Sequence, residues 1–173
     1  MAQRLEPALE VAQALALNPD EVHRVESAAL LHDIGKVGIP DSILRKSGPL
    51  TEDEFDQMRL APVTGAELVG RVEGLGAIVP WIYHAHEHID GSGYPEGLRG
   101  DAIPLASRII AVADAFDAMT TNRPYRAALQ QLACAGTREN FTLLHQGDNP
   151  DHNTAAALHE FLNELEAYCP PET

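Results

Sequence analysis

Between residues 106 and 120 the chain runs through Ile109, Ile110, Val112, Ala113 and Phe116, an apolar density that suits a helix at the centre of a core rather than on its surface. A helix apolar on most of its circumference has to be surrounded, so the remaining elements are expected to pack around it. Asp114 lies in the middle of this stretch. An unpaired carboxylate in such surroundings is costly, so Asp114 is expected to have a partner.

The other elements read as helices too. Val22, Val25, Ala28, Ala29 and Leu31 recur mostly at three- and four-residue steps, the stripe of an amphipathic helix. Residues 5–17 predict a helix before it, closed by Asn18-Pro19-Asp20, with Asp20 as the cap of the next. Thr51 to Glu54 has the form of a capping box and predicts a helix through Met58. Residues 63–72 and 78–88 are further helical stretches, Pro80 being tolerable in a first turn. After Pro124 come a short helical stretch, a polar patch at 146–153 and a last amphipathic helix through Leu158, Phe161, Leu162 and Leu165. The longest irregular segment, 89–104, carries four glycines and two prolines and is long enough to suspect of function. The chain reads as all-α, a helical bundle.

With 173 residues the expectation is one domain, large enough to bury a core without staples. A net charge of -14 argues against a nucleic-acid polymer as partner, because such binding rests on Lys and Arg neutralising phosphates. No apolar run is long enough for a membrane span, and the first residues lack the pattern of a secretory signal, so a cytoplasmic location is expected. Cys134 and Cys169 have no CxxC spacing and read as ordinary residues.

His32-Asp33 closes one apolar helical run. Downstream stand His84, His86 and His88, the loop Asp90-Gly91-Ser92-Gly93-Tyr94-Pro95, and Asp114. A set of His, Asp, His and Asp from separate elements suits a divalent ion such as iron, manganese, nickel or zinc better than calcium. Such an ion would acidify a water for phosphate-ester hydrolysis. The plainer alternative makes each residue a surface or capping group. His84-Ala85-His86-Glu87-His88 superficially resembles the HxHxDH motif of metallo-β-lactamase-like hydrolases, but that motif follows a strand and has its Asp where His88 stands.

Three stretches resemble the HD-GYP family: His32 to Asp41, His86-Glu87 leading into Asp90 to Leu98, and Ile103 to Met119. The match runs over residues 20–126, leaving 127–173 as a divergent C-terminal part. The resemblance implies an all-helical HD-domain bundle and a metal-dependent phosphodiesterase acting on the bacterial messenger cyclic di-GMP. It makes His32, Asp33, His86 and Asp114 metal ligands, with Asp33 as a bridge between ions. Lys36 corresponds to a phosphate contact beside the metals, and Arg123 and Arg126 to a second phosphate-binding pair, a task suited to Arg geometry. Tyr94 corresponds to a residue near the ligand or a partner protein; its plainer role is to cover the edge of the core.

The chain departs from the family at three expected ligands. Ala61 and Ala85 stand where the family has histidines, and a further family histidine falls at or before Met1, where Glu6 and Glu10 are the only nearby substitutes. Substitution by His84 or His88 is a further alternative. Two readings follow: a phosphodiesterase weakened by a depleted metal centre, or an inactive signalling module that binds cyclic di-GMP or a partner protein through the loop from Gly91 to Gly100.

Overall fold

The computed structural model describes residues 6–120. The expected Arg123 and Arg126 pair, the two cysteines and the C-terminal helix lie outside the described residues. Among the described residues seven α-helices follow in order: α1 (Glu6–Ala14), α2 (Pro19–Leu31), α3 (Asp41–Leu44), α4 (Glu52–Met58), α5 (Ala61–Gly70), α6 (Val79–Tyr83) and α7 (Leu105–Thr120). Short 3-10 turns occupy Ile34–Gly38, Gly76–Ile78 and Gly100–Ala102. Among the described residues there is no strand, only an isolated bridge between Asp90 and Arg99. No helix among them is long and apolar enough to cross a membrane. The all-α expectation holds.

The central role expected of 106–120 is realised in α7. Ile109, Ile110 and Val112 of α7 are fully or almost fully buried, and they meet Val11 of α1, Val25 and Ala28 of α2 and Ile82 of α6 in one apolar cluster. The Ser107 hydroxyl ties α7 to α6 by donating to the Trp81 carbonyl at 2.9 Å. A smaller cluster of Ile39, Ile43 and Ala61, with Leu50 and Met58 against it, joins the 3-10 turn to α3, α4 and α5.

Helix ends follow local chemistry, with one correction. Asn18, not Asp20, caps α2: its side chain accepts from the Glu21 amide while the Glu21 carboxylate accepts from the Asn18 amide, and Pro19 fills the first turn. Asx geometry at the residue before a proline is already extended, which a cap requires and Asp20 inside the helix lacks. The Thr51–Glu54 box opens α4 as expected, and Lys46 pairs with the same Glu54 carboxylate. At the end of α1 the amides of Leu17 and Ala16 reach back to the carbonyls of Ala12 and Gln13, with Ala16 at φ 53° where glycine is usual.

Two glycines set the position of the His32-Asp33 step. Helix α2 gives way directly to the 3-10 turn, and a Cβ at Gly35 would lie 1.8 Å from the Ala61 carbonyl oxygen and 2.5 Å from the Gly65 nitrogen. Gly35 therefore lets the turn press its backbone on that of α5, where Gly65 faces it.

Candidate metal centre

His32 is buried at the C-terminal end of α2. Its Nδ1 lies 2.7 Å from the Ala29 carbonyl, and a carbonyl only accepts, so Nδ1 carries the proton. In the neutral ring Nε2 then holds the lone pair. That atom is buried without a hydrogen-bond partner. It faces Asp33 Oδ1 at 3.5 Å and Asp114 Oδ1 at 3.9 Å. A histidine whose Nδ1 is held by a backbone carbonyl and whose Nε2 is aimed at carboxylates has the orientation of a metal ligand.

Three elements complete the group. His86, from the turn after α6, brings Nε2 to 3.7 Å from Asp33 Oδ1. Asp114 comes from the middle of α7 and Lys36 from the 3-10 turn, its Nζ 2.7 Å from the same Asp33 oxygen. Burial pushes the Asp33 carboxyl up, but the charges of His32, Lys36 and His86 together hold it below its ordinary value. Burial, with His32 adding to it, drives the His86 imidazole down to about 4 against the opposing pull of Asp33 and Asp114. His86 is thus a neutral ring with a lone pair to offer.

The apolar density of its helix predicts largely apolar surroundings for Asp114, but its side chain is 40% exposed. The helix around it is apolar, but this position on its circumference opens to the cluster, so the carboxylate keeps hydration. Helix α6 also ends at Tyr83 rather than at His88. Residues 84–86 form a turn and 87–88 are irregular, because the following loop folds back on them. The Tyr94 amide donates to the His86 carbonyl at 3.1 Å and the Gly91 amide to that of His88 at 2.8 Å. A Cβ at Gly93 would lie 2.1 Å from the His88 nitrogen.

That loop is held by a residue to which sequence reading gave no role. Glu87 has a fully buried side chain that accepts from the amides of Glu96 at 2.7 Å and Leu98 at 2.9 Å. Its position next to His86 in the motif was the available signal. Tyr94 is carried by the same loop: its ring stacks on His86 with centroids 5.3 Å apart and 15° between planes, and meets Phe55 of α4 edge-on at 5.9 Å. Burial raises its phenol above the ordinary value.

His84 and His88 stand apart from the cluster. His84 lies 3.8 Å from the Glu87 carboxylate, and His88 Nδ1 is 3.1 Å from the Ser92 hydroxyl. Ala61 and Ala85 are both buried in apolar packing, Ala61 in the smaller cluster and Ala85 in the main core.

Ligand atoms around an ion with bonds of about 2.1 Å stand roughly 3 to 3.5 Å apart. The separations of 3.5–3.9 Å are slightly wider, and among the described residues no three such side chains form a closed cage. The orphaned Nε2 and the two-nitrogen, two-carboxylate donor set have the chemistry to bind a divalent ion, but as placed no three of these side chains stand close enough to hold one.

The chain belongs to the HD domain family, which matches residues 1–136. It is 51% identical over 122 residues to the cyclic di-GMP phosphodiesterase response regulator RpfG of Xanthomonas campestris, covering 68% of this chain and 32% of the relative. A cyclic di-GMP phosphodiesterase of Thermotoga maritima is 43% identical over 120 residues, 67% of this chain and 32% of the relative. The 3'3'-cGAMP-specific phosphodiesterase 1 of Vibrio cholerae is 41% identical over 119 residues, 69% of this chain and 28% of the relative. The chain spans about a third of the length of these curated relatives. The HD-GYP resemblance of the motifs agrees with these matches.

Proposed function

We propose that this chain is a metal-dependent phosphodiesterase domain acting on cyclic di-GMP or a related cyclic dinucleotide containing guanine, with a reduced ligand set. The observation that carries the reading is the buried Nε2 of His32, without a hydrogen-bond partner and facing Asp33 and Asp114. The names of the relatives supply the substrate class.

His32, Asp33, His86 and Asp114 hold the ion in this reading. When bound, iron, manganese, nickel or zinc supplies charge for a phosphoryl oxygen and acidity to a water. Asp33 and Lys36 are the catalytic pair: the ammonium that rests on Asp33 also lies where an entering phosphate oxygen would take part of its charge. Tyr94 fixes the His86 plane by stacking and limits water on that side. Arg123 and Arg126 are proposed as further phosphate contacts. Deletion of two expected ligands at Ala61 and Ala85 limits the number of ions, because apolar packing surrounds both positions.

That packing also favours a second reading, a module that binds cyclic di-GMP without cleaving it, or a partner through the loop from Gly91 to Gly100. Metal analysis of the purified chain with a cyclic di-GMP hydrolysis assay separates the two. Stoichiometric metal, with turnover abolished in Asp33→Ala, supports the enzyme. Ligand binding without metal or turnover supports the module.

A further inference from the structure

Beside the centre, α4 presents an unusual stripe. Glu52, Phe55, Asp56 and Arg59 recur at i, i+3, i+4 and i+7, so they share one helix face. In most helices such a stripe is apolar and faces the core; here it borders a cleft of about 400 Å³ completed by Leu50 and Thr51. The volume lies in the range of small-molecule sites. The Arg59 guanidinium lies 4.7 Å from the centre of the Phe55 ring and pairs with Asp56 at 2.9 Å, while half of its side-chain surface stays exposed. Phe55 in turn meets Tyr94 at 5.9 Å, and Tyr94 stacks on His86 at 5.3 Å. The cleft is therefore joined to the candidate metal centre through two successive ring contacts.

We propose that this cleft is a guanine subsite, in which the Phe55–Arg59 layer is the stacking platform and the Asp56 and Glu52 carboxylates accept from the base. The inference rests on the phosphodiesterase reading and adds its base specificity. Bases stack on aromatic rings and on guanidinium planes alike. Guanine turns two donors, N1–H and the N2 amino group, toward a carboxylate. Adenine offers an unprotonated N1 at the corresponding edge, whose lone pair opposes a carboxylate oxygen. Two acids beside one platform therefore select guanine by attraction and reject adenine by repulsion.

Cyclic di-GMP and cyclic di-AMP share backbone and charge, so the ratio of their dissociation constants isolates the base. Calorimetric titration of the 173-residue chain is expected to show at least about a tenfold preference for cyclic di-GMP. Asp56→Asn and Glu52→Gln, near-isosteric changes at exposed positions, are each expected to remove most of that preference. Phe55→Leu is expected to weaken both ligands together, because stacking does not discriminate. Equal affinities in the wild-type chain, or a preference untouched in both carboxylate variants, overturns the subsite. Hydrolysis of bis(p-nitrophenyl) phosphate, which carries no base, is followed in parallel with the wild-type chain. Hydrolysis without base preference overturns the guanine subsite alone. A guanine preference lost in Asp56→Asn, with no hydrolysis at all, supports the subsite and overturns the phosphodiesterase reading.

Discussion

His32 and Glu87 are both buried ionisable side chains, yet the regions around them are built differently. Both Glu87 oxygens are used by backbone amides, and the result is a closed loop from 89 to 100 packed on the turn that carries His86. His32 is satisfied at Nδ1 only; its other nitrogen is buried and held open among carboxylates. A buried polar group with every partner supplied stabilises a shape, whereas one left half-supplied costs free energy that a ligand is needed to offset. The loop is thus scaffold, and the His32–Asp33–His86–Asp114 cluster is the place where chemistry is expected.

This contrast predicts unequal responses to substitution. Glu87→Ala leaves two part-buried amides without their charged acceptor and is expected to cost about 3–5 kcal/mol in denaturant unfolding. Hydrogen exchange at the Glu96 and Leu98 amides should accelerate in the same variant; unchanged exchange there would break the scaffold assignment.

Gly35→Ala is next in size. A methyl group meets the α5 backbone rather than a flexible side chain, so a loss of about 3 kcal/mol is expected, together with displacement of Asp33 and lower metal content. His32→Ala should show the opposite balance. A stability loss of only about 1–2 kcal/mol is expected because one hydrogen bond is lost, but metal affinity should fall by more than about tenfold. Should it cost as much stability as Glu87→Ala and leave metal content unchanged, the two regions would not differ as described.

The double variant Ala61→His, Ala85→His tests the limit on the centre. Both sites are buried, so overpacking of about 1–3 kcal/mol at each is expected along with raised metal occupancy by elemental analysis. Unchanged occupancy would mean that the chain near these alanines departs from the family geometry. Ala16→Gly, remote from both regions, relieves a left-handed conformation and should raise stability by about 0.5–1 kcal/mol without altering metal content.

Much of this architecture was legible because it is local. The stripe of α2, the capping box of α4 and the apolar density of α7 act over one or two turns of chain, and the elements formed where those signals stand. The four candidate ligands were named by their motifs, and the structure brings His32 toward Asp33 and Asp114 and His86 toward Asp33 without closing a metal cage among the described residues. The extension of α6 to His88 failed for a physical reason: no stop signal follows Tyr83, and the helix is ended by hydrogen bonds from Gly91 and Tyr94 returning from the far side of the turn. Exposure of Asp114 was missed because composition averages over a helix circumference and says nothing of one position on it.

The sequence by itself determined the helical character of the described residues, the capping box at which α4 begins, and which side chains have the chemistry to hold a divalent ion, since these depend on neighbours along the chain. Only the tertiary structure decided that Glu87 is spent on the loop, that Ala61 and Ala85 lie in apolar packing, and that Tyr94 bridges His86 to the α4 cleft. Those outcomes depend on contacts between residues distant in sequence, whose partners no local pattern names.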